Sequence, residues 1–369
     1  MGSTTPIYTI VQADGLYPDD IVEQEILKPR DGEQFLISYK QAYLSPPGMA
    51  DQKPWAQMDQ DLRDQVDGIM VLKMTFTAED LALFPRLKVI VRMGVGYDLL
   101  DRDALASRGV VVCNVPDYGT EEIADHAIAL ALSLRRGIIE HHERQRNSPP
   151  APWLYIDSSL VGRLRDATFG ILGFGRIGMA AAMRAKAFGW KVLFYDPYVP
   201  NGIEKSMGVE RTRDIHELFS RSTTLSIHCP STRETRGLVR YDLLRLMPKG
   251  AIVVNTARGD VVDFDGLERA MREDIISGAG LDVVPLEPIP DDDVHPLIQA
   301  YRRKETWLEG RLVITPHTAF YSPEAYDEIR VKSVESWSKD GVTPLTGVLF
   351  RFLERGLCFV NLAIEMDAE

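Results

Sequence analysis

The sequence predicts an α/β protein of two domains with mainly parallel sheets. Three observations carry this reading. Short β-rich apolar runs alternate with helical stretches over most of the chain, the pattern of parallel strands joined by crossover helices. The 369 residues exceed the usual single-domain size of about 100 to 150. A glycine-rich loop lies between one apolar run and an Ala-rich helix, as at the phosphate-binding turn of a doubly wound fold.

The clearest strands are expected at Ile69 to Leu72, Val89 to Arg92, Val110 to Cys113, Phe169 to Leu172, Val192 to Tyr195, Thr224 to His228, Ala251 to Asn255, Gly280 to Val284 and Leu312 to Thr315. From Glu121 to Arg135 the chain reads as a helix that is apolar nearly all round, hence buried, with Thr120 as its N-cap. The Pro-bearing stretch from His141 to Asp166 reads as an exposed connection. Glu287 to Glu309, with three consecutive aspartates and several prolines, reads as a long surface loop holding a helical turn or two.

Composition narrows the function classes. With 45% hydrophobic and 26% charged residues, long disordered tracts are not expected. A net charge of −12 and a pI near 5.2, without any dense Lys/Arg block, argue against a nucleic-acid track. Cys113, Cys229 and Cys358 are too scattered for a disulfide framework or a metal cluster, so no metal is expected and a reducing compartment fits. The start lacks the apolar core of a signal peptide, and no run of about 18 apolar residues occurs. A cytoplasmic or nuclear location away from membranes is the expectation.

Gly173, Gly175 and Gly178 form GxGxxG within FGILGFGRIG. With 28 glycines in the chain, this spacing is expected by chance about 0.16 times, so the context must decide. An apolar strand precedes the loop, an Ala-rich helix follows, and Asp196 stands eighteen positions beyond Gly178, just past the next strand. There an acid meets the adenosine ribose hydroxyls and repels the extra phosphate of NADP, so NAD is the expected cofactor.

Three residues near strand ends suit reduction of a 2-keto acid. Arg258 follows AIVVNTA, Glu287 lies just past GAGLDVV, and His317 follows LVITP. A guanidinium fork can hold carboxylate and carbonyl oxygens together. An imidazole can donate a proton to the carbonyl oxygen and remove it in reverse. A carboxylate on the other ring nitrogen fixes the ring and favours its protonated form. Each residue alone has a bland explanation; their position after strands, where open α/β sheets bind ligands, gives them weight.

With VRMGVGYDLLD, VVCNVPDYGTEEIADHA, LFYDPY, VVNTARGDVVD, GAGLDVVPLEP and TPHTAFYS, these words closely resemble the D-isomer-specific 2-hydroxyacid dehydrogenase family over roughly residues 66 to 335. RAKAFGWKVLFYDPY, VEQEILKP and EDLALFPRLKVIVR resemble the branch of C-terminal-binding protein corepressors. The resemblance implies two doubly wound, Rossmann-like domains, the cofactor domain (121 to 320) inserted into a discontinuous substrate domain (1 to 120 and 321 to 369), and a homodimer. It implies that Arg258 binds the substrate carboxylate, that Glu287 partners the histidine and that His317 donates the proton. Arg176 and Ile177 would meet the pyrophosphate, Asp196 the ribose, Cys229 and Pro230 the adenosine side. Thr256, Ala257, Asp282 and Thr120 would lie near the nicotinamide. Gly94, Val95 and Gly96 would bind carboxylate, with Arg92 and Phe320 lining the substrate.

Phe320 stands where the corepressor branch has Trp, which removes an indole donor. The stretch between Glu287 and His317 is longer than usual, and its residues around Tyr301 to Trp307 read as surface decoration rather than as a lid. Lys73 follows an outer strand and would add charge to the substrate side. The alternative function is an NAD(H)-sensing corepressor or scaffold that binds short peptide motifs, although the first 65 residues match that branch only patchily.

Overall fold

The computed structural model describes residues 6–14, 17–29, 35–45, 52–155, 157–292, 294–335 and 337. Two compact units result, one containing the chain up to Tyr118 and from Pro323 onward, the other Gly119 to Ser322.

Among the described residues, the first unit holds β1 (Ile7–Asp14), β2 (Leu36–Ser45), β3 (Val66–Val71), β4 (Val89–Arg92) and β5 (Val111–Asn114). All pair in parallel, in the order β2-β1-β3-β4-β5. A strand buried on both faces carries a continuous apolar run; every residue of β3 is buried. Val11, Ile69, Phe76, Phe84 and Ile90 centre this core, with the Trp55 ring edge-on to Phe76 and Phe84.

The second unit holds β6 (Thr168–Leu172), β7 (Lys191–Tyr195), β8 (Glu210–Thr212), β9 (Thr224–Ile227), β10 (Ala251–Asn255), β11 (Ile276–Leu281) and β12 (Leu312–Ile314). This sheet is also parallel throughout, ordered β12-β11-β10-β9-β6-β7-β8. Strand order reverses between β6 and β9, the point at which such sheets open a crevice at their carboxyl ends. The helix Thr120–Arg135 packs on the helix Arg176–Ala187 through Ala124, Ala180 and Ala181, small side chains that let the two approach closely. The buried Arg135 donates to the carbonyls of Leu160, Thr223 and Gly250, and burial pushes its guanidinium down to about 10.

Four expectations differ from the structure. Gly119, not Thr120, is the N-cap of the long helix, and Thr120 is its first residue. The connection expected from His141 to Asp166 begins inside a helix, Ile138–Arg146. The 287–309 stretch carries its expected helical turns as Pro296–Arg302 but does not lie on the surface as expected: Leu297, Ile298 and Ala300 are buried, and Tyr301 and Trp307 pack against the same core. With Arg272 stacked 4.1 Å from the Trp307 ring centroid, that stretch is part of the fold rather than decoration. β1, β2 and β8 complete the sheets without having been expected. Cys113 and Cys229 are buried and free; Cys358 lies outside the described residues. No helix among the described residues is long and apolar enough to cross a membrane.

In the first unit Arg330 donates to Glu23 at 2.8 and 2.6 Å and to Asp19 at 3.0 Å, its guanidinium 4.4 Å from the Tyr17 ring centroid. Glu23 is fully buried, so Arg330→Ala strands a carboxylate in apolar surroundings. We expect a loss of about 3–5 kcal/mol, read as a lower urea midpoint at unchanged slope; an unmoved midpoint would remove this pair from the stability of the unit.

Candidate active site

The glycine loop that follows β6 is shaped by what its neighbours exclude. Gly173 has φ +93°, and a Cβ there would fall 2.6 Å from the Cys229 backbone nitrogen, in the turn that follows β9. A Cβ on Gly178 would fall 2.3 Å from the Gly173 carbonyl oxygen, so helix and strand meet without room for a side chain. Around Gly175 nothing lies within 4 Å of a Cβ, leaving open approach to the backbone. Gly175 caps the helix Arg176–Ala187 and has no side chain to engage its first N–H groups, which lie beside exposed Arg176 and half-buried Ile177. A pyrophosphate fits such a terminus, which offers unpaired donors and the positive end of the helix dipole.

Asp196 directly follows β7, and its carboxylate is partly engaged already. Oδ2 accepts from Phe174 N–H at 2.7 Å, and Oδ1 from Tyr198 and Val199 N–H at 2.8 and 3.3 Å. Of about four acceptor positions, one remains for a ribose hydroxyl. The same residue therefore also pins the glycine loop to the end of β7, a role the sequence did not show.

Cys229 is buried and its thiol is pushed up to about 12 by that burial, so it stays protonated beside exposed Pro230. Thr256 follows β10 and is buried, and its Oγ1 has no hydrogen-bond partner. An orphaned hydroxyl, a glycine loop open at Gly175 and an uncapped helix terminus together fit a bound dinucleotide.

The acid–base candidates are gathered beyond the same sheet edge. Gly259, next to Arg258, packs so tightly that a Cβ would fall 1.9 Å from the Val284 carbonyl carbon. That contact brings the Arg258 turn onto the loop carrying Glu287. Asn255 braces the turn, its Nδ2 donating to the Arg258 carbonyl at 2.8 Å and its Oδ1 accepting from Ala257 N–H at 3.0 Å. Arg258 Nη1 donates to the Ala257 carbonyl at 2.7 Å.

Glu287 Oε1 accepts from Val284 N–H at 2.8 Å, and Oε2 lies 2.5 Å from His317 Nδ1. A carboxylate only accepts, so the ring donates from Nδ1, and Nε2 is the nitrogen left to exchange a proton with a ligand. His317 holds φ +52°, a left-handed backbone that costs a non-glycine residue about 1–3 kcal/mol and persists where its surroundings over-determine it. Those surroundings are Asp282, whose carbonyl accepts His317 N–H at 2.8 Å and whose buried carboxylate accepts Thr318 and Ala319 N–H at 2.9 and 3.0 Å. Phe320 stands edge-on to His317, ring centroids 6.4 Å apart. Burial pushes His228 down to about 4, which leaves it neutral and unsuited to proton donation near pH 7.

The substrate candidates of the first unit cluster at the end of β4. Gly94 has φ +144°, and a Cβ there would collide with the Arg92 guanidinium. Asn114 Nδ2 donates to the Val95 carbonyl at 2.7 Å, holding the Gly94, Val95, Gly96 turn. The buried Asp14 carboxylate accepts from Leu72 and Lys73 N–H at 2.6 and 3.2 Å. Desolvation raises its pKa, opposed by those bonds and by the charges of Lys73 and Arg92.

Comparison with known proteins places the chain in one family. Residues 128–319 match the model for the D-isomer specific 2-hydroxyacid dehydrogenase NAD binding domain. A glyoxylate reductase of Korarchaeum cryptofilum is 38% identical over 260 residues, 69% of this chain and 74% of that protein. C-terminal-binding protein 1 of Caenorhabditis elegans is 31% identical over 281 residues, 75% of this chain but 37% of that protein, so the chain spans little more than a third of its length. The crystal structure of D-lactate dehydrogenase from Aquifex aeolicus, complexed with NAD and lactic acid, superposes with a TM-score of 0.72 at 28% identity, covering 95% of this chain and 99% of that one. A glycine loop built for a dinucleotide, a Glu–His pair at the same sheet edge and these likenesses make the chain a member of the D-isomer-specific 2-hydroxyacid dehydrogenase family, NAD(P)-dependent oxidoreductases.

Proposed function

We propose that the chain interconverts a small 2-keto acid and its D-2-hydroxy acid, with NAD(H) preferred over NADP(H). The observation that carries this reading is the 2.5 Å contact of His317 Nδ1 with Glu287, on a loop whose backbone Asp282 holds in a left-handed turn. When bound, NADH supplies the hydride that adds to the carbonyl carbon. Arg258 holds the substrate carboxylate and draws electron density from the carbonyl. His317 passes the proton from Nε2 to the carbonyl oxygen and recovers one from solvent, while Glu287 keeps the ring oriented. In the reverse direction neutral His317 takes the hydroxyl proton.

We assign Gly173, Gly175, Arg176, Ile177 and Gly178 to the pyrophosphate, Asp196 to the ribose, Cys229 and Pro230 to the adenosine side, and Thr120, Thr256, Ala257 and Asp282 to the nicotinamide end. Arg92, Gly94, Val95, Gly96 and Phe320 are assigned to the substrate. The test is NADH and NADPH consumption with glyoxylate, hydroxypyruvate, pyruvate and bulkier branched, aromatic or thioether 2-keto acids. Saturable turnover of at least one with NADH is expected; NADH binding without consumption across the panel would overturn the reading in favour of a sensor.

Trp153, Leu154 and Tyr155 are 93%, 68% and 79% exposed, an apolar run of the kind that marks an interaction surface. We assign it to a second copy of the chain, because the family resemblance implies a homodimer and the run lies in the unit that carries the glycine loop. Sedimentation at twice the monomer mass is expected, with Trp153→Asp shifting it toward monomer; a monomeric wild type at micromolar concentration removes the assignment.

A further inference from the structure

Asp282 is not an isolated clamp. Its Oδ1 also accepts a hydrogen bond from Thr315 Oγ1 at 2.6 Å, and Thr315 Oγ1 lies 3.0 Å from Nε2 of His126, in the middle of the long helix Thr120–Arg135. A hydroxyl has one proton. Asp282 as a carboxylate must receive it, so the Thr315 oxygen accepts from His126, whose Nε2 therefore carries hydrogen. The chain of donors runs one way, from His126 Nε2–H to Thr315 to Asp282, with His126 Nε2 itself 3.7 Å from Asp282 Oδ1.

The far end of that chain is the turn bearing His317. The Asp282 carbonyl accepts His317 N–H, Oδ1 accepts Thr318 N–H and Oδ2 accepts Ala319 N–H. Asp282 is 2% exposed and His126 half-buried, its side chain 25% exposed. If His126 gave no donor, the Thr315 hydroxyl could swing away from Asp282, and the carboxylate would lose the partner that fixes its plane. Hydrogen-bond chains of this sort are cooperative.

We propose that His126 is a positioning residue for the proposed reaction: through Thr315 and Asp282 it sets the orientation of the turn that holds His317. It rests on the reading of His317 as the proton donor, but its structural half stands independently of turnover. A phenylalanine keeps the ring and removes the donor. A glutamine amide places an N–H close to where Nε2 sits.

The experiment compares the full-length wild type with His126→Phe and His126→Gln in two measurements. Amide exchange at His317, Thr318 and Ala319, followed by NMR without cofactor or substrate, is expected to quicken about tenfold in His126→Phe, the scale of one lost hydrogen bond. It should return toward wild type in His126→Gln. For whichever 2-keto acid turns over, kcat is expected to fall about tenfold, as when outer partners of a reacting group are removed, with KM little changed and with rescue by Gln. Unchanged exchange in the Phe variant, or a Gln variant as defective as Phe, overturns the proposal. Faster exchange in a protein that reduces no 2-keto acid supports the brace and sinks the proposed reaction, so the two failures are distinguishable.

Discussion

His317→Ala is expected to lower kcat for 2-keto acid reduction by about 10² to 10⁴, the usual worth of a positioned acid, while NADH affinity stays as in wild type. Adding a hydride to a carbonyl builds negative charge on oxygen, and the barrier falls only if a proton or a dipole meets it there. His317 is suited to this because Glu287 occupies Nδ1, leaving Nε2 for the substrate, and because the left-handed turn fixes where Nε2 points. The neutral His228 and the protonated Cys229 thiol offer no substitute. Stopped-flow turnover and NADH fluorescence titration check the two halves separately. A kcat within threefold of wild type would mean that the proton comes from elsewhere.

Arg258→Ala is expected to cost a similar amount, but in kcat/KM. Two charge-assisted hydrogen bonds at about 1.5–3 kcal/mol each correspond to about 10² to 10⁴ in rate. Arg258→Lys should recover little of it, because an ammonium is a point charge without the planar fork that spans carboxylate and carbonyl oxygens. The turn itself should survive either change, since Asn255 holds it through the backbone of Ala257 and Arg258. Recovery of most activity by Lys would show that charge alone matters and that the bidentate geometry assigned to Arg258 is mistaken.

The parts of this molecule legible in the sequence are those with local signatures. β4 and β10 fall where apolar runs place them, and the glycine loop lies between β6 and its helix as expected. Elements whose residues do not announce themselves were missed. β8 is the three-residue edge Glu210–Thr212, largely polar because one side of it pairs with nothing in the sheet order. The helix Ile138–Arg146 reads IIEHHERQR, polar around most of its circumference, so its periodicity is hidden. β11 begins four residues earlier than expected, since Ser277 and Gly278 interrupt its apolar pattern while remaining fully inside the sheet.

What the sequence determined by itself was chemistry carried by neighbours in the chain: an α/β fold, a dinucleotide loop, and a guanidinium, a carboxylate and an imidazole each placed after a strand. Tertiary structure decided which groups meet. Only packing brings Glu287 against His317 across thirty positions, seats Gly259 on Val284, and joins His126 to Thr315 across 189 positions. The reason is physical: a parallel sheet collects the ends of distant strands along one edge, so its ligand-facing contacts are long-range by construction, and a hydrogen bond leaves no trace in sequence spacing when its two partners lie on different strands or helices.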